Sequence, residues 1–293
     1  MNRKTYQITL IGMIIVAIGL ITANAIYLKI NGKVLLDWIW IFVIIMVGYV
    51  YIRYRLNGPL QMFSTKFNML VDYDLDVEAA EALAEQAAGD APTANIKALY
   101  SLYLGMAKYY NAKYEEAIKI MHMLDLRKLN QVYHILVFAF SAYSAYEIGD
   151  TEEFTLNIDR IKGVVPRLNP RYRPFGNSYV ELLEAMANAD VALDQYKDMI
   201  EKHFSHPDGY ISTKLVFHYR MADYYERLGD TLEMDKNLAF VIANGKNHHT
   251  AVQARRKFKN SVNVDDYIIV EETPSEAEPE VIEGDFHQTE DHP

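Results

Sequence analysis

No cysteine occurs in the 293 residues, so neither a disulfide framework nor a thiolate metal site is open to this chain. The spacings that chemistry needs are missing too. There is no phosphate-cradling glycine loop, no dinucleotide fingerprint, no HExxH pair and no motif presenting a Ser or Cys nucleophile. Positive charge is absent from one whole segment. Residues 263–293 hold eleven acids and no Lys or Arg, while the other 262 residues carry 29 basic and 28 acidic side chains. The formal charge of −10 is therefore that of a neutral body with a polyanionic tail. A neutral body without a recognition motif argues against nucleic acid as a partner. The tail, placed at 261–293, has prolines at 274, 279 and 293 and few large apolar residues, a composition that predicts disorder. Tyr267-Ile-Ile-Val270 is its exception, a short β-prone segment suited to docking on the domain or a partner.

What is present begins with two long apolar runs. Residues 7–28 contain no charge and reach the roughly 20 residues that a bilayer span requires. Trp38–Ile52 forms a second run, extended by Val34–Leu36 and interrupted only by Asp37, with Trp38, Trp40, Tyr49 and Tyr51 near its ends, where aromatic rings anchor at an interface. Two successive helices that are apolar all round predict a transmembrane hairpin over residues 1–56. Arg3 and Lys4 precede it and Arg53, Arg55 and Lys66 follow, so the positive-inside tendency predicts two spans with both termini in the cytoplasm. Ala23-Asn24-Ala25 also has the small-x-small form of a cleavable signal end. Cleavage after Ala25 would still leave the second run to return the chain to the same side.

The body, 57–260, repeats. Aligned on a small turn residue and its successor, Ala112-Lys113, the spacing returns at Gly149-Asp150, Ala189-Asp190 and Gly229-Asp230, in steps of 37, 40 and 40 residues, with a fainter copy at Leu75-Asp76. A period near this length with a turn between amphipathic segments predicts about five stacked helical hairpins. Seven residues before each turn stand Gly105, Ala142, Leu182 and Ala222, and five after it Ala117, Phe154, Asp194 and Met234. Small residues at the first set allow close helix approach. Gly149 and Gly229 suit a left-handed helix end, and Asp150 and Asp230 can cap the helix that follows. The copy at Ala189 is the weakest.

The stretch LGMAKYYNAKYEEAI (104–118) resembles a tetratricopeptide repeat through Leu104-Gly105, Ala107, Tyr109, Tyr114 and Ala117, and 143–154 and 222–234 match in part. The resemblance covers roughly residues 60–245. It implies an all-α solenoid in which the first helix of each hairpin lines a concave, polypeptide-binding groove. By that register the lining is Met106, Tyr109 and Tyr110, then Tyr143, Tyr146 and Glu147, then Tyr179, Leu183 and Met186, and finally Tyr219, Asp223 and Arg227. Tyrosine offers a peptide large contact area at small entropic cost. The Lys, Arg and Asn set that family members use to hold acidic chaperone tails is absent, so a chaperone-tail receptor is not expected. The competing role for each of these rings is packing between helices.

Arg160, Lys162, Arg167, Arg171 and Arg173 form the strongest basic cluster, and no acid lies from Ile161 through Val180. This stretch reads as a long loop between hairpins, either simply solvated or facing anionic lipid, an acidic partner or the chain's own tail. His203 and His206, with Asp208, could bind zinc, but Pro207 breaks the helix there, and these and His248-His249 read as surface or helix-end histidines. No metal or cofactor is expected. The reading is a membrane-anchored, non-enzymatic scaffold that binds a polypeptide partner. Its alternatives are a metal-dependent hydrolase using the His203/His206 region, or an accessory subunit acting through its transmembrane hairpin, where Gly19 and Ala23 form a small-x3-small pair.

Overall fold

The computed structural model describes residues 3–33, 38–206 and 208–269, and all regular structure among them is helical. The expectation of a disordered tail falls mostly on 270–293, outside the described residues. The chain opens with α1 (Arg3–Asn31) and α2 (Trp38–Asn68), which pack against each other. Within α1 the run Ile11–Asn31 is long and apolar enough to cross a bilayer, and nearly all of it is exposed. The apolar part of α2, Ile39–Tyr51, is shorter. No break separates an anchor ending at residue 56 from a domain starting at 57. α2 continues through Gly58 and Pro59, and its last turns bury Phe63 and Phe67 in the domain. At 1.5 Å per residue this single helix is about 46 Å long.

A π-helical turn (Met69–Tyr73) leads into α3 (Val77–Gly89), which packs on α4 (Ala94–Tyr110). The chain then pairs α4 with α5 (Tyr114–Met123), α6 (Gln131–Ile148) with α7 (Thr151–Val164), α8 (Arg173–Ala187) with α9 (Leu193–Phe204), and α10 (Ile211–Leu228) with α11 (Thr231–Asn244). Each pair also packs on the next, α5 on α6, α7 on α8 and α9 on α10. A short α12 (His249–Lys257) buries Ala251 and Ala254 against α10 and α11, leaving Arg255 and Arg256 outside.

The repeat register has a backbone cause. Its turn residue adopts a left-handed conformation at Leu75 (φ 52°), Ala112 (54°), Gly149 (76°) and Gly229 (82°). Ala189, in the weakest copy, is not among the positive-φ residues. The next residue caps the second helix: Asp76, Asp150 and Asp230 accept hydrogen bonds from the amides of Ala79, Glu153 and Glu233, each at 3.0 Å. Lys113 has no acceptor and makes no such cap. The small position works as expected where it is smallest, since a Cβ on Gly105 would stand 2.6 Å from Met121 Cε. Ala117, Phe154 and Met234 are buried against the preceding helix, whereas Asp194 is exposed.

The basic stretch departs from expectation. Arg160 and Lys162 lie on α7, Arg173 begins α8, and 3-10 turns at Val165–Arg167 and Pro170–Tyr172 leave little loop between them. Val165 and Leu168 are buried in the core, which anchors the segment. The domain also runs past 260. Buried Asp235 accepts from the amides of Lys259 (3.0 Å) and Ser261 (2.8 Å), and Asn244 holds the Tyr267 carbonyl (2.8 Å) and the Ile269 amide (2.9 Å). The β-prone segment thus docks on α11 as far as it is described.

Candidate interaction site and the filled interior

The twelve residues expected to line a groove do converge, but the chain itself occupies the space between them. The last hairpin reaches back to the first. Ser212 Oγ donates to Asp72 Oδ1 (2.8 Å), Lys246 Nζ donates to the Asp74 carbonyl (2.6 Å), and the rings of Tyr73 and Tyr210 lie 4.7 Å apart. Leu75, at the first turn, is buried among Leu215, Tyr219, Val241 and Ala251 of the last elements. The start of α10 therefore meets the end of α2, and the array closes on itself.

Inside the closure, burial divides these residues. Tyr109, Leu183, Met186 and Tyr219 are 5% exposed or less, and Met106, Tyr110, Tyr143, Tyr146 and Tyr179 are half-buried. Leu183 and Met186 belong to the same apolar cluster as Ile135, Ile158 and Tyr196. A register that turns these positions inward is sound. What it cannot supply is the neighbour across the interior, here α10 and the residues before α12.

The interior is polar at its centre. Glu147 and Arg220 form an ion pair at 3.1 Å with both side chains 4% exposed, and Tyr219 donates to the second Glu147 oxygen at 2.9 Å. Burial alone would lower the Arg220 pKa, but the adjacent Glu147 carboxylate holds it well above its ordinary value, so the guanidinium stays charged. It also stacks over Tyr146, 5.0 Å from the ring centre. Beside this pair Asp223 accepts from the hydroxyls of Tyr146 (3.0 Å) and Tyr196 (3.1 Å). Burial opposes its ionisation, yet Arg227, Lys257 and Arg220 draw its pKa below the usual carboxylate value. Arg227 bridges outward, to Asp223, to the Tyr146 hydroxyl and to Asp190 in the neighbouring turn. Burial pushes the Tyr146 and Tyr179 hydroxyls up to about 12, so both remain protonated donors.

The histidines divide. His203 is half-buried and hydrogen-bonded through Nδ1 to Ser178 (3.2 Å), and His206 is exposed; among the described residues no group of three or more His, Asp or Glu is arranged to hold a metal. His248 and His249 are not surface residues at all, with exposures of 0% and 1%. Their rings pack on Tyr110 (5.5 Å) and Tyr109 (4.2 Å), and His248 Nδ1 meets Thr250 Oγ1 at 2.8 Å. Burial drives the His248 pKa down to about 3, and that of His249 well below its ordinary value, so both are neutral. Adjacent histidines after Asn244-Gly245 gave no sequence signal of burial, because only the return of the last hairpin encloses them. Comparison with known protein families, curated proteins and solved structures finds no match. Whatever is inferred about function therefore rests on this chain's own residues.

The outer surface carries what the interior does not. Ile148, Val191 and Leu228, exposed at 40%, 85% and 55%, stand at the turns of three successive hairpins, gathered by the Arg227–Asp190 and Arg227–Tyr146 contacts. A cavity of about 290 Å³ on the α5–α6–α7 face is lined by Met121, Leu126, Val137 and Phe138, with His122 and Arg160 beside them.

Proposed function

We propose that the protein is a membrane-anchored, non-enzymatic scaffold of tetratricopeptide-like hairpins that holds a polypeptide partner at the cytoplasmic face of a membrane. The observation that carries this reading is the unbroken α2, which passes from the apolar run Ile39–Tyr51 into the buried Phe63 and Phe67 of the helical array. A rigid helix at that joint holds the array at a set height, where a flexible linker would let it wander. Anchoring a binding surface in this way raises the effective concentration of its partner near the bilayer. The anchor in this reading is a hairpin of two spans, the second completed by residues flanking Ile39–Tyr51. Partner contact falls to the outer surfaces of the array, because the tyrosine-lined interior is filled by the chain itself.

The test is site-specific photo-crosslinking in membranes, with the crosslinker placed in turn at Ile148, Val191 and Leu228 of the full-length chain. A discrete polypeptide adduct is expected from at least one position, lost when α2 is interrupted by a flexible insert after Leu60. Adducts that persist unchanged after that insertion would remove the case for a rigid tether. Finding no adduct from the turns, nor from probes on the α5–α6–α7 face, would remove the case for a scaffold.

A further inference from the structure

We propose that the cavity on the α5–α6–α7 face receives Phe286 of the chain's own acidic C-terminal segment, with the flanking Glu283 and Asp285 against the cavity's basic rim. The inference concerns two parts of one chain and stands apart from the reading of how that chain is anchored. The cavity supplies the first argument. It measures about 290 Å³, and its floor is apolar, with Met121 and Val137 each 2% exposed and Phe138 half-buried. Met123, just outside it, is 75% exposed. A recess of this size suits one large apolar side chain acting as an anchor. One side of it is polar. Arg160 lies 5.7 Å over the Phe138 ring, donates to Asn157 Oδ1 at 3.2 Å and stands 3.9 Å from Glu153, with 39% of its side chain exposed. Glu153 is already engaged, since His122 Nε2 is 2.7 Å away and Asn157 Nδ2 donates to it. Beyond the lining residue Leu126, Arg127 and Lys128 are exposed, and Arg127 holds Asp125 at 2.9 Å. Three cations against two engaged carboxylates favour a ligand that brings further acid.

The chain supplies that ligand. Residues 271–293, which lie outside the described residues, hold nine acids and no Lys or Arg, and their large apolar side chains are Val281, Ile282 and Phe286. Phe286 is the one Phe, Tyr or Trp among them, and Glu283 and Asp285 closely precede it. Length permits the contact. Asn244 fixes Ile269 through its amide at 2.9 Å. Five residues after Asn244, the His249 ring meets that of Tyr114 at 6.3 Å, and α5 carries Tyr114 to Met121 in about 10 Å. Laid end to end these steps come to roughly 50 Å, an upper bound on the separation of Ile269 from the cavity. The seventeen residues from Ile269 to Phe286 can span up to about 58 Å.

The absence of cysteine allows a crosslinking test without background. In the purified full-length chain, Met123→Cys with His287→Cys is treated with a short bis-maleimide, and the control pair is Val191→Cys with His287→Cys, since Val191 is 85% exposed at a distant turn. The first pair should join within one chain about tenfold faster than the control, because docking raises the local concentration of the tail at the cavity. Phe286→Ser, which leaves the helical array unaltered, should return the rate to that of the control. Arg160→Glu should slow it, and Arg160→Lys should not. An excess of a synthetic peptide of residues 278–290 should also slow it, whereas the same peptide carrying Phe286→Ser should have no effect. Equal rates for the two pairs would overturn the proposal, and so would a fast crosslink indifferent to Phe286→Ser. Crosslinked dimers whose yield climbs with protein concentration would overturn it in favour of the tail of a second copy.

Discussion

At the scale of single residues the interior depends on charges that leave water only because they are paired. Arg220 and Glu147 are each 4% exposed, so removing one strands the other. Arg220→Met alone should cost about 3–5 kcal/mol in urea unfolding of the full chain, and adding Glu147→Leu should recover most of that loss. A double variant as unstable as the single would show that the pair itself, and not the stranded charge, carries the energy. The buried imidazoles set a pH dependence. His248 is held at about 3 and His249 well below its ordinary value, so on unfolding below pH 6.5 each takes up a proton it does not bind when folded. Their stabilisation is present above pH 6.5 and declines as pH falls, by up to about 1.4 kcal/mol per unit for each ring. Stability measured between pH 7 and 5 should fall accordingly, and His249→Phe should reduce the slope. Glu81, held at about 2 by Lys108, Lys113 and Asn111 against its burial, adds a loss of the same sign only below pH 4.5.

Among elements, the closure of the last hairpin on the first is the feature that no local pattern announces. Leu75 sits at its centre with 3% exposure, in a left-handed conformation that leucine seldom adopts. Leu75→Ala should destabilise by about 2–5 kcal/mol. Hydrogen exchange should rise together over 69–76 and 211–222, although these segments are far apart in sequence. A rise confined to 69–76 would mean that the two ends do not depend on each other. The tyrosines of the interior behave as elements of this packing. Tyr143 contacts Tyr109 and Tyr179, and Tyr146 donates to Asp223, so Tyr143→Ala with Tyr146→Ala should lower the melting temperature strongly. An unchanged melt would return these rings to the role of an open groove.

For the whole molecule, the arrangement of α1 and α2 makes topology the measurement that matters most. Reporter fusions after Arg55 and at the C-terminus should both report cytoplasm, and a fusion near Gly32 should report the opposite side. An external C-terminus would invert the charge argument and place the helical array outside. The unbroken α2 joins the apolar run Ile39–Tyr51 to the helical array without a linker.

By itself the sequence determined what local physics controls. A period of 37–40 residues placed the turns, and left-handed backbone appears at Leu75, Ala112, Gly149 and Gly229, with aspartate caps at Asp76, Asp150 and Asp230. Length and apolarity marked α1, and the amphipathic pattern marked the hairpins as helices. Tertiary structure alone decided which inward-facing residues meet solvent. Whether Tyr109 or Tyr219 lines a groove or fills a core depends on whether the last elements return to the first. No single hairpin encodes that return, and His248, His249 and Glu147 are buried only because of it. The continuity of α2 across the expected boundary at 56–57 was likewise hidden, because it depends on packing of Phe63 and Phe67 on α3 and α4, which offsets the one hydrogen bond that Pro59 removes.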